Sequence, residues 1–114
     1  MPKKKWILRF RVKDKKNFEE VRRKEKIVET RAATEKYRKV QKGDALLFVC
    51  GDDLIEKKVK KVALYMSIDS MLKSIPRTRV MPSTKNVQEM KVAYHSYPGY
   101  KEKIKKYGLV AFYL

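Results

Sequence analysis

Between Leu54 and Ile68 the apolar residues change face part-way along one extended segment. Val59 points one way, and Val62 and Leu64 lie an odd number of positions further on, so a flat strand of period two cannot bury all three. A bulge or a sharp curl resolves the conflict, because either one exchanges the two faces. Strands that curl in a short chain favour a compact barrel, whose closure removes exposed edges.

The neighbouring segments fit that frame. Trp6, Leu8, Phe10 and Val12 alternate with Ile7, Arg9 and Arg11, the pattern of a half-buried strand. Asp14 is placed to cap a helix over 15–24, with Phe18 and Val21 inward. Residues 27–31 read as a strand, Thr34 to Tyr37 as a turn or single helical turn, and Lys42-Gly43-Asp44 as a tight turn. The wholly apolar run 45–50 reads as a central strand, followed by a hairpin at Gly51-Asp52-Asp53 and the long strand from Leu54. Asp69 is expected to cap a helix over 70–74, and Ser83 one that runs to about Val92. Tyr100, Ile104 and Tyr107 share a helical stripe, and 108–114 form a last strand. There is no regular βα alternation, so a doubly wound sheet is not expected. The prediction is one α+β domain over 1–114: a small mixed β-barrel of about five or six strands with three or four short helices.

Charge narrows the function classes. Thirty Lys and Arg stand against thirteen Asp and Glu, a net +17 in 114 residues. A surface of that sign attracts polyanions, and nucleic acid is the first candidate. The first half carries 18 bases and 10 acids, interleaved as on solvated helix faces; the second carries 12 and 3. From Lys57 to Gln88 there are eight bases (Lys57, Lys58, Lys60, Lys61, Lys73, Arg77, Arg79, Lys85), with Asp69 the only acid. That acid-poor stretch is the candidate phosphate-facing wall. A charged fraction of 38% with two Asn and two Gln hints at a thermophilic source. No run is long enough to span a membrane, no apolar signal core follows the basic start, and a single Cys excludes a disulfide framework. The expected compartment is the cytoplasm. One Cys and one His cannot make a zinc site, and no metal or cofactor is expected.

Two constellations carry chemistry. In Lys24-Glu-Lys26-Ile-Val-Glu29-Thr-Arg31, Glu29 and Arg31 lie two apart on a strand and share a face, where Arg can grip the carboxylate in a forked bond. Lys26 joins them only if it sits in the helix-to-strand turn. The competing reading is an exposed ion pair beside an ordinary Lys, contributing under about 1 kcal/mol. The second constellation is Tyr94, His95, Tyr97 and Tyr100, rings suited to stacking bases beside the basic wall or simply to packing on the core. A Cys50–His95 dyad has no supporting signature, and no GxxxxGK[ST], GxSxG or HExxH motif is present.

Lys26, Glu29 and Arg31 stand at the Lys, Glu and Arg of GxKxxExR, and in this the chain resembles the ASCH-domain family, a branch of the PUA-like β-barrels. Lys24 stands where that family has Gly. Leu8-Arg9-Phe10 and Phe18 before the motif are similar to the family's opening. So are Lys42-Gly43-Asp44 with Leu46-Leu47-Phe48, Val62 to Ser67 with the helix to Leu72, and Tyr107-Gly108-Leu-Val-Ala111. Nearly the whole chain is covered, as expected for a prokaryotic or archaeal single-domain member. The resemblance implies a PUA-like barrel with a cleft beside the hallmark residues that binds RNA or a nucleobase. Some bacterial relatives remove the acetyl group from acetylcytidine, with the hallmark Lys catalytic and a Thr nucleophile at the Glu position; others are ribonucleases. Glu29 in place of Thr counts against the amidohydrolase reaction.

The leading expectation is an RNA-binding module, with tRNA or another structured RNA as partner and the protein a monomer. Lys26, Glu29 and Arg31 would hold a base or phosphate, with Tyr94 beside them, and Lys57, Lys58, Lys60, Lys61, Arg77, Arg79 and Lys85 would neutralise phosphates. The alternative is a hydrolase on a modified nucleoside or RNA. There Lys26 would be the base, Glu29 would position it or a water, Arg31 would stabilise an anionic intermediate, and Tyr94 or Ser67 would supply a hydroxyl. A basic protein-interaction adaptor is a third reading.

Overall fold

The computed structural model describes residues 4–114. Its first element is β1 (Lys5–Phe10), in which Leu8 is buried while Ile7 and Arg9 are exposed. Val12 does not continue the strand. It opens a 3-10 turn, Val12–Asp14, and is exposed. Helix α1 (Lys15–Arg22) buries Phe18, Glu20 and Val21; Asp14 precedes it but binds Arg11 instead of capping. Next come β2 (Val28–Ala32), a single helical turn α2 (Glu35–Arg38), β3 (Ala45–Cys50) and β4 (Asp53–Lys58).

The segment with conflicting faces is two strands. β4 ends at Lys58, and β5 (Lys61–Tyr65) begins a different sheet. Val59, fully buried at the corner, and Lys60 make the change of direction. Val62 packs against the same inner core as Val59, so the corner reconciles their parity as a curl was expected to do. Leu64 shares Val62's face but lies beyond that core and is half exposed.

Six helices are present among the described residues, against three or four expected. The remaining four are α3 (Ile68–Leu72), α4 (Arg77–Val80), α5 (Val87–His95) and α6 (Tyr100–Tyr107), and β6 (Leu109–Tyr113) closes the chain. α4 escaped the sequence reading because a four-residue turn shows no helical period. Two caps also differ from expectation: Ser67, not Asp69, caps α3, and Asn86, not Ser83, caps α5. In each case the residue with extended backbone just before the first turn does the capping.

The six strands form two three-stranded sheets, β1-β3-β4 and β2-β6-β5. β1 runs parallel to β3; every other pair is antiparallel. The β4–β5 corner joins the sheets on one side. On the other, β1 and β2 are not paired, so among the described residues the hydrogen bonding does not close one barrel. The sheets face each other across an inner core that includes Leu8, Phe18, Leu46, Phe48, Val59, Val110 and Phe112. The second sheet is covered on its other face too, where Val28, Ala32, Leu109 and Ala111 pack with Met71, Val80, Met90, Tyr94 and Ile104 of the helices. No helix among the described residues is long and apolar enough to cross a membrane.

Candidate functional site

The gap between β1 and β2 is a cleft of about 300 Å³. Arg9 and Phe10 of β1, with Arg11 after it, form one wall; Lys26 and Glu29 to Arg31 form the other. Tyr94, Tyr97, Pro98 and Tyr100, from α5 to the start of α6, cover it, and Met81 after α4 closes a corner. β2 is the edge strand of its sheet, so residues from both its faces reach the cleft. Glu29 and Arg31 lie opposite Phe112 and Val110 on the inter-sheet face, whereas Thr30 turns toward the helices.

Lys26 sits in the turn between α1 and β2, where its amide and that of Glu25 both donate to the Glu20 carbonyl. This turn bends the ammonium back onto Glu29. Lys24 makes the bend with φ 61, a left-handed conformation that disfavours side chains with Cβ. Lys24→Gly is therefore expected to raise stability by about 0.5–1 kcal/mol, the relieved strain exceeding the added unfolded-chain entropy. A higher urea midpoint with unchanged slope checks this.

The triad is buried, not a surface pair. Lys26 and Glu29 are 4% and 2% exposed. Lys26 Nζ lies 3.2 Å from Glu29 Oε1, which also accepts from the Thr30 amide at 2.8 Å. Arg31 Nη2 lies 3.5 Å from Oε2, and among the described residues that oxygen has no hydrogen-bond donor. Burial pushes the Glu29 carboxyl up, but Lys26, Arg31 and the Thr30 amide together outweigh it and hold it below the ordinary carboxylate value. Burial likewise opposes the charge on Arg31, and Glu29 more than restores it. The rings of Phe10 and Tyr37 lie 5.2 and 5.8 Å from the Arg31 guanidinium.

The tyrosines are neutral. Burial above all raises Tyr94 far above its usual range, Tyr97 to about 12, with Glu29 and Asp14 adding to it, and Tyr100 as well. Tyr94 hydroxyl bonds to Thr30 Oγ1, and Tyr94 belongs to the helix-side core, as the packing reading expects. Tyr97 packs edge-on to Tyr94 and Tyr100 and accepts from Asn17 at 3.2 Å. Arg11 lies 5.4 Å over its ring and binds Asp14 at 2.6 Å. The cleft thus offers flat uncharged rings, one fixed carboxylate and four cationic side chains against two acids.

The crystal structure of the hypothetical protein PH0355 is 31% identical to this chain, with a TM-score of 0.80 over 96% of this chain and 95% of that one. The chain belongs to the same family as PH0355. PF0455 from Pyrococcus furiosus, another protein of this type with a solution NMR structure, is 29% identical with a TM-score of 0.72 over 96% and 94% of the two chains. No family model matches the sequence, and no curated protein is significantly similar to it.

In this member of the PH0355 family the cleft gathers Lys26, Glu29, Arg31 and Tyr94. It does not gather the basic wall. Lys57 and Lys58 lie on β4, the far edge of the first sheet, with Lys58 in register with Ala45 and Lys5 at the start of β1. The cleft lies at the other end of β1. Lys60 and Lys61 lie at the corner and on β5, the far edge of the second sheet. Arg77 is engaged by the carbonyl and hydroxyl of Thr84, and Lys85 is exposed. Arg79 lies nearer, since its carbonyl accepts the Ile27 amide at 3.0 Å beside Lys26. Ser67 is occupied as the α3 cap. His95 is exposed on α5 while Cys50 is buried at the end of β3. Among the described residues no three His, Cys, Asp or Glu are grouped to hold a metal ion. Arg9, Arg11, Thr30 and Tyr97 complete the cleft. Arg9 and Arg11 read in the sequence as the solvent side of β1, and only the missing β1–β2 pairing turns them into a wall.

Proposed function

We propose that this protein is a nucleic-acid-binding module of the ASCH type, and that the cleft takes one unpaired base of an RNA strand. The observation that carries this is the cleft itself: neutral tyrosines stand beside a buried, ionised carboxylate with one oxygen lacking a donor. A base edge carries N–H donors, and its faces stack on aromatic rings. About 300 Å³ is at the small end of ligand sites, suiting a single base and not a duplex. Support for the ASCH reading comes from Lys24, which adopts a glycine-favouring φ where the hallmark has Gly, and from the hallmark Lys, Glu and Arg, which meet on the cleft wall. The two facing sheets are a PUA-like barrel left open at the ligand site.

Binding of a short single-stranded RNA, followed by fluorescence anisotropy, tests this. Contact with about four phosphates predicts an affinity loss of roughly fifty-fold between ~50 and ~200 mM salt. A nearly flat salt response removes the phosphate contacts from the account. The alternative, a hydrolase acting on a modified nucleoside or RNA, draws support from the burial of Lys26 beside Glu29 and Thr30. Turnover of acylated nucleosides or short RNAs that disappears in Lys26→Ala would favour it.

A further inference from the structure

Building on the base-binding reading of the cleft, we propose that it takes a whole nucleotide and that Arg9 holds the phosphate. The cleft's cations are not equivalent. Lys26 and Arg31 both pair with Glu29, and Arg11 pairs with Asp14 and lies over Tyr97. Arg9 also lines the cleft, yet among the described residues it has no ion-pair or ring partner. Its residue is exposed, whereas Lys26 and Glu29 are buried, so it stands at the mouth.

The two ends of the cleft therefore ask for opposite chemistry. The inner end has a carboxylate oxygen without a donor. The outer end has a guanidinium without an acceptor. The rings of Phe10 and Tyr97 line the same cleft. A matching ligand carries N–H groups on a flat ring at one end and an anion at the other. A nucleoside supplies only the first; a nucleoside monophosphate, or one residue of an RNA strand, supplies both. Arginine's planar fork suits phosphate oxygens. A base whose edge faces Glu29 is not free to pair, so the strand is single at that position.

Titration calorimetry with the common ribonucleosides and their 5′- and 3′-monophosphates, at about 50 mM salt, tests the assignment. At least one monophosphate is expected to bind about ten-fold tighter than its nucleoside, the effect of one charge-assisted contact. Arg9→Gln should shrink that ratio to within about two-fold. Lys105→Gln, which removes the same charge from an exposed position on α6, should preserve it. Nucleoside binding with no preference for the monophosphate overturns the role of Arg9 and leaves the base reading standing, as does a ratio unchanged in Arg9→Gln. Binding of none of the compounds removes both.

Discussion

Glu29→Ala is expected to lower the stability of the fold by about 3–5 kcal/mol, because it strands the Lys26 ammonium and the Arg31 guanidinium in the protein without their shared counter-charge. An exposed pair would contribute less than about 1 kcal/mol, and the burial of Lys26 and Glu29 decides between the two magnitudes. Replacing Lys26 and Glu29 together by Met and Leu should recover the part of the loss that comes from the stranded Lys26 ammonium, while Arg31 remains without its counter-charge. Urea denaturation of the native protein and the two variants at pH 7 measures this. A Glu29→Ala midpoint equal to that of the native protein would contradict it. The pH dependence has a definite sign. The folded carboxyl titrates below its ordinary value of 4.5. Its contribution is therefore complete above about pH 4.5 and fades as pH falls through the folded value. The stability difference between native protein and Glu29→Gln should stay constant from neutral pH down to that point and shrink below it.

Gly108→Ala is expected to cost about 3 kcal/mol or more, a large share of the stability of a domain this small. Gly108 joins α6 to β6 with φ 77 and ψ −162, a region open almost solely to glycine. A Cβ there would lie 2.3 Å from the Tyr65 carbonyl oxygen and 3.4 Å from Met66 Cα. Both are backbone atoms, so no rotamer change relieves the clash. The Gly108 carbonyl also accepts the Ala33 amide, which ties the position to the end of β2. Gly51 provides the contrast. Its φ of 59 is also left-handed, but a Cβ there meets nothing within 4 Å, so Gly51→Ala should cost only about 1 kcal/mol. Equal melting temperatures for the two variants would show that the close approach to Tyr65 has little energetic weight.

The parts of the site that were legible in the sequence are those set by local geometry. A strand puts Glu29 and Arg31 on one face whatever surrounds it, and a helix followed within a few residues by a strand leaves a turn that returns Lys26 to them. The alternation of β1, the central place of β3 and the corner after Lys58 follow from the same short-range periodicities. The acid-poor segment was legible as composition only. Its residues divide among β4, the corner, β5, α3, α4 and the loop after it, so a stretch continuous in sequence is not one wall in space.

The sequence by itself determined that this chain carries a large positive charge, must bend its long extended segment near Val59, and sets Glu29 and Arg31 on one strand face. Each of these depends on residues a few positions apart. Only the tertiary structure decided that the carboxylate is buried, that Arg9 and Arg11 face it across a cleft, and that the lysines at the β4–β5 corner do not. Those facts depend on β1 and β2 remaining unpaired while β4 and β5 are joined by a corner, and long-range strand order is fixed by packing across the whole core, which no local period records.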